Sequence, residues 1–264
     1  MIPFFRKIRK KMADDNRPLK YMRYAIGEIV LVVIGILIAL QINNWNEERK
    51  ERKIENLILQ DLKTEFKENL TDAKRVYDGN LQIFHAMEHI QKITSNQDYK
   101  NTQIDTLMYD VFDWFDYTPK PGASNNLINS GNLSIIKNRE LRSLLTIWSG
   151  VVAELEDDEV LAVNYSHNHI IPFMALNYPI RNLEIFDVQE SYYKNSANEN
   201  IPNENNIYIS YDAEELLNNP VFQNHISAKK MYARHNYIEC MFVIKNCEQI
   251  LELIEVELKK YSEP

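Results

Sequence analysis

Tyr24-Ala25-Ile26-Gly27-Glu28-Ile29-Val30-Leu31-Val32-Val33-Ile34-Gly35-Ile36-Leu37-Ile38-Ala39-Leu40-Gln41-Ile42 carries one formal charge, Glu28, and decides how the chain is read. As an α-helix, the stretch from Tyr24 to Trp45 rises roughly 32 Å, which matches a hydrocarbon core of about 30 Å. Tyr24 and Trp45 stand at its ends, where amphipathic rings settle at the headgroup level. A core helix of a soluble protein would keep a polar face, and Ile29–Leu40 has none. A cleavable signal peptide needs a small-x-small site after its apolar run, and Leu40-Gln41-Ile42-Asn43-Asn44 offers none. The run predicts an uncleaved transmembrane helix over residues 24–45.

Flanking charge sets the expected orientation. Arg6, Lys7, Arg9, Lys10, Lys11, Arg17, Lys20 and Arg23 precede the span, against Arg49, Lys50, Arg52 and Lys53 after it. By the positive-inside rule, 1–23 is a basic cytoplasmic segment and 46–264 an extracytoplasmic domain. With 45% hydrophobic and 26% charged residues in 264, that domain can build a sizeable core. A disordered tail, a disulfide-stapled miniprotein and a multi-span membrane protein are excluded. Only 6 glycines leave little room for Gly-rich phosphate loops or tight hairpins. A net charge of −8, with the basic residues gathered at one tip, does not describe a nucleic-acid binder.

Two stretches stand out together: Phe4-Phe5-Arg6-Lys7-Ile8-Arg9 followed by the apolar run through Asn43-Asn44-Trp45-Asn46, and Ala123-Ser124-Asn125-Asn126-Leu127-Ile128-Asn129-Ser130-Gly131-Asn132-Leu133-Ser134-Ile135-Ile136-Lys137-Asn138-Arg139-Glu140-Leu141. Both resemble a large bacterial family of single-span membrane proteins of unknown function. The resemblance implies a bacterial inner-membrane location and carries no catalytic residue.

Beyond Trp45 no Pro or Gly occurs before Gly79, so the membrane helix is expected to continue outward. Ile54, Ile58, Leu62, Phe66, Leu70, Ala73, Tyr77, Leu81 and Phe84 recur three or four apart, an amphipathic stripe. Thr102 and Asp105 have the spacing of a capping box before a second helix with Ile104, Leu107, Met108, Val111, Phe112 and Phe115 on one face. Pro119, Pro121 and Gly122 end that helix, and Ser124 opens a short turn of helix closed near Gly131. Asn138 caps a third helix with Leu141, Leu144, Leu145, Trp148, Val152 and Leu155 inward. About 177–212 reads as an irregular loop, Asn-rich over 195–206 and flanked by Tyr178, Phe186, Tyr192, Tyr193, Tyr208 and Tyr211. Pro220 suits the first turn of a last helix. There Ala233, Tyr237, Cys240, Ile244, Cys247, Leu251, Ile254, Leu258 and Tyr261 make a coiled-coil-like seam. The fold expected is all-α: an N-terminal transmembrane helix continuing into an antiparallel helical bundle.

Few groupings carry chemistry. His85-Ala86-Met87-Glu88-His89 matches H-x-x-E-H, where two histidines on one helix face share a zinc ion and the carboxylate activates its water. A third ligand would have to come from Glu154, Glu156, Asp158 or His169, and nothing in the sequence selects one. Glu156-Asp157-Asp158-Glu159 lacks the spacing of a calcium loop and reads as a solvated face. His167 and His169 point to different sides of a helix, so one is expected to hydrogen-bond within the bundle; His225 and His235 have no evident partner. Cys240 and Cys247 would lie roughly 10.5 Å apart along one helix, too far to bridge, and read as buried thiols. In the membrane helix Glu28, Gly35 and Ala39 share a face, and Gly35 and Ala39 form a small-xxx-small pair that admits a second helix.

The expectation is an inner-membrane protein that works by contact, as a scaffold or sensor subunit, with no cofactor and no catalytic residue. Its partners are the lipid bilayer and either a second copy or another inner-membrane protein. A zinc-dependent hydrolase using His85, Glu88 and His89 is the alternative; a small-ligand sensor centred near Asp158 and Glu159 is another.

Overall fold

The computed structural model describes residues 18–93, 101–183 and 208–262, and the chain divides into two compact units at Leu57/Ile58. The basic cluster of residues 1–17 and the Asn-rich tract 195–206 lie outside the described residues, as do Phe186, Tyr192 and Tyr193. Among the described residues every regular element is helical.

The first unit contains the start of helix α1 (Pro18–Ile93), a helix long and apolar enough to cross a membrane. Its most apolar window has a mean hydropathy of 2.6, and none of that window is buried.

The second unit is a bundle of three long helices. These are α1 from Ile58 onward, α4 (Arg139–Tyr165) and α7 (Pro220–Ser262). Between them stand α2 (Asn101–Phe112), α3 (Gly122–Asn129), α5 (Ile171–Asn177) and α6 (Ala213–Asn218). Cross-helix pairs give the directions. Lys63–Glu255 (3.0 Å), Lys74–Glu248 (3.1 Å) and Gln91–Ser227 (2.9 Å) show α7 running antiparallel to α1. Asn138–Glu257 (2.8 Å) and Tyr165–His225 (3.1 Å) show it antiparallel to α4 as well. Thus α1 and α4 point the same way, and the chain between them must return along the bundle. It does so as α2, an extended strap over 113–121, and α3.

Local chemistry explains the helix ends. The Asn138 side chain accepts from the amides of Glu140 and Leu141, and Asn219 does the same for Val221 and Phe222 ahead of Pro220. A π-helical turn, Ser166–Ile170, joins α4 to α5 without a break in helical backbone. Pro172 follows it; a proline ring crowds the carbonyl four residues back, and a wider turn relieves that.

Both long stripes differ from expectation by one residue. The buried seam of α1 is Leu59, Leu62, Phe66, Asn69, Ala73, Val76, Asn80, Ile83, Met87 and Ile90, a strict three-four alternation. That of α7 is Ala233, Asn236, Cys240, Val243, Cys247, Ile250, Ile254 and Glu257. Tyr77, Leu81, Tyr237, Ile244, Leu251 and Leu258 flank these seams and are half-buried. At Asn69, Asn80, Asn236 and Glu257 the core position is polar, so the apolar pattern falls on a neighbour; at Val76, Val243 and Ile250 two adjacent residues are apolar and packing selects the one that continues the seam.

Burial divides the bundle into two apolar cores. One gathers Leu59–Val76, Leu141–Leu155 and Cys240–Ile254. Its Phe66 and Trp148 rings meet edge to face at 5.0 Å. The other gathers Ile83–Ile90, Ile104–Val111, Ile170, Met174 and Phe222–Ala233. Phe115 packs against both, and the residues between them are polar.

Candidate functional site

The strap has no helix or strand to satisfy its backbone, so side chains do it. The Asp72 carboxylate accepts from Thr118 N (2.9 Å), and Asn69 Oδ1 accepts from Lys120 N (2.8 Å). Glu65 takes the amide and hydroxyl of Ser124 and the amide of Ala123, at the start of α3. Arg75, held to Asp72 at 2.8 Å, donates to Asp116 O (2.8 Å). Opposite α1, both Glu159 oxygens accept from Tyr117 N (3.0 and 3.1 Å), and Lys229 Nζ donates to Asp113 O (2.6 Å). Pro119 and Pro121, which have no amide hydrogen, alternate with Thr118 and Lys120, whose amides are used. Phe115 is pressed onto Gly79: a Cβ there would stand 2.4 Å from its ring.

Between the two cores Asn80, Glu159, Lys229 and Asn236 line part of a small void whose other walls are aromatic or aliphatic, among them Ile83, Trp114, Phe115, Val163 and Tyr232. Its volume is about 10 Å³. Glu159 and Lys229 are each 5% exposed. Burial pushes the Glu159 carboxyl up to about 8, helped by Asp116, Glu156 and Asp72 and opposed by the Tyr117 amide. Burial pushes the Lys229 ammonium down to about 8, opposed by Asp113 and Asp110. Asn236 Nδ2 donates to Asn80 Oδ1 at 3.5 Å, while Asn236 Oδ1 has no partner.

This corrects the solvated face expected of Glu156–Glu159. Glu156 and Asp157 are exposed, but Glu159 extends the seam of Leu141, Leu145, Trp148, Val152 and Leu155 by one more step of four.

Asp105 joins distant parts of the chain. It is 2% exposed and accepts the hydroxyls of Tyr178 (2.7 Å), Tyr208 (2.9 Å) and Tyr211 (2.8 Å). Asn182 pairs with both backbone groups of Ile209 at 2.9 Å, so the two stems of the irregular segment are tied to each other and to α2. The side chain of Thr102 lies outside the described residues.

His85 and His89 sit on the exposed face of α1; His85 Nδ1 lies 3.6 Å from a Glu88 oxygen that also meets Lys92 at 4.0 Å. Glu154, Glu156, Asp158 and His169 are not gathered with them: among the described residues no group of three or more His, Cys, Asp or Glu stands close enough to hold a metal. His167 and His169 are exposed against Trp114 and Tyr165. The histidine bonded within the bundle is instead His225, whose Nδ1 meets the Tyr165 hydroxyl at 3.1 Å. Cys240 and Cys247 are buried free thiols, and burial raises both above the usual thiol range. In the first unit Glu28 is half-exposed, Ala39 is exposed, and nothing lies within 4 Å of where a Cβ on Gly35 would stand.

Sequence reasoning missed Glu65, Asn69, Asp72 and Asn80 as a set. Their signal was polar residues at the helical spacing of the core, Asn69 and Asn80 within the apolar seam and Glu65 and Asp72 one residue beside it.

Among the described residues, fold and site define an all-α protein with one helix able to cross a membrane and a bundle centred on buried polar groups. Residues 28–150 match a family of unknown function, DUF6090, a stretch that includes the apolar run from Glu28 onward, Glu65, Asn69, Asp72, Arg75 and the strap. No curated protein and no solved structure matches the chain.

Proposed function

We propose that this is a single-pass membrane protein whose bundle lies outside the cytoplasm and acts by contact with another protein rather than by turnover. The observation that carries the anchoring is the apolar window of α1, wholly exposed although its mean hydropathy is 2.6; in water so large an apolar surface would drive aggregation. The excess of Lys and Arg before the span supports a cytoplasmic N-terminus, and the bacterial family resembled supports the inner membrane. Contact is supported by how the polar groups are used: Glu65, Asn69, Asp72 and Glu159 are taken up by the chain's own backbone.

The contact begins within the membrane. Gly35 and Ala39 leave a shallow face on which a second helix can approach closely, with Glu28 on the same side. The partner is a second copy or another inner-membrane protein. A reporter active only outside the cytoplasm, fused after Pro264, should be active; activity of a cytoplasm-only reporter there would overturn the orientation. Gly35→Ile should reduce self-association of residues 20–46 in a membrane assay, or partner recovery with the full-length protein. If both match the parent, the helix is an anchor and nothing more.

A further inference from the structure

We propose that the void between the two cores is a binding site for one water molecule, and that Glu159 is held there as a neutral acid hydrogen-bonded through that water to Asn236. Size comes first. A water needs about 10–15 Å³ of probe-occupied space and two to four polar partners, and a void of about 10 Å³ lined by Asn80, Glu159, Lys229 and Asn236 supplies both.

The second ground is an orphaned acceptor. Asn236 is 4% exposed and its Oδ1 has no hydrogen-bond partner. A buried amide oxygen left bare is unfavourable, and a water in the void can donate to it.

Burial without a counter-charge then sets the state of Glu159, which is 5% exposed. Its two oxygens share one amide hydrogen, that of Tyr117, and it forms no ion pair among the described residues. From the strap, α1 and its own helix the acids Asp116, Asp72 and Glu156 face it, with Arg75 of α1 engaged by Asp72 and the Asp116 carbonyl; from α7, Cys240 faces it and Lys229 lines the same void. Lys229 Nζ is already directed at Asp113 O and Ser166 Oγ. A carboxylate buried among acids on one amide is disfavoured, whereas a carboxylic acid donates its O–H to the water. The water in turn donates to Asn236, and the bare Oδ1 gains its partner.

Infrared difference spectroscopy on the full-length protein in detergent tests this. Spectra at about pH 6 minus about pH 10 should contain a protonated-carboxyl band that shifts on deuteration and disappears in Glu159→Gln. A crystal structure near pH 6 should show one density peak within hydrogen-bond distance of Asn236 Oδ1, lost in Asn236→Leu. A dry void, a peak that proves to be an ion, or a carboxyl band unchanged in Glu159→Gln would overturn the proposal. The titration of the unsubstituted protein decides the matter should either variant fold poorly: no buried carboxyl band at about pH 6 would also refute it.

Discussion

Helix α1 solves two solvation problems with two patterns. From Ile29 to Leu40 it is apolar all round and exposed; from Leu59 to Ile90 its apolar residues fall in one buried seam, with charged residues elsewhere. The first pattern leaves no side for water, and the second needs water on most sides. What distinguishes them is less the number of apolar residues than the presence of polar residues among them. Asn69 and Asn80 sit in the very seam of the second half, each with a hydrogen-bonding task.

The sharpest way to break the comparison is to place the same charge in each half. Leu62 is fully buried, and Leu62→Lys should destabilise the bundle by more than about 4 kcal/mol. That would appear as loss of the cooperative thermal transition, with the membrane-bound fraction unchanged. Ile34→Lys should do the reverse, lowering membrane integration by about 3 kcal/mol on an insertion scale without altering the bundle's transition. Equal effects on both readouts would show that the halves do not answer to different solvents.

Gly79 tests how tightly the strap is seated. Gly79→Ala drives a methyl into the Phe115 ring and should lower stability by about 1–3 kcal/mol in chemical denaturation, an effect that Phe115→Leu should reduce.

The polar layer predicts a stability minimum near pH 8. Glu159 binds its proton more tightly folded than unfolded, so its contribution is full below about pH 4.5 and falls as pH rises towards 8. Lys229 releases its proton more readily when folded, so stability recovers from about 8 towards 10.5. In denaturation midpoints measured across this range, Glu159→Gln should flatten the acidic limb and Lys229→Met the alkaline one. The smallest effect belongs to the surface: Lys74 and Glu248 are half-exposed, and Lys74→Ala should change stability by less than about 0.5 kcal/mol.

The helices were legible because apolar periodicity and caps such as Asn138 are local signals. Glu159 was legible too, since it lies four residues beyond Leu155, but its three acidic neighbours masked the spacing. Asp105 was hidden differently. Its three tyrosine partners lie 73 to 106 residues away, and only the folded return of the chain brings them together. The strap's backbone bonds left no trace in its own side chains beyond the alternation of Pro119 and Pro121.

That last feature bears on how the sequence can drift. The amides of Tyr117, Thr118 and Lys120 are what α1 and α4 recognise, and an amide is the same in every residue except proline. The exposed side chains of Thr118 and Lys120 can therefore be exchanged without loss of these amide bonds, provided neither becomes proline, at the cost for Lys120 only of a surface ion pair with Glu68. The burden of inheritance falls on Asn69, Asp72 and Glu159, which lie outside the strap they hold.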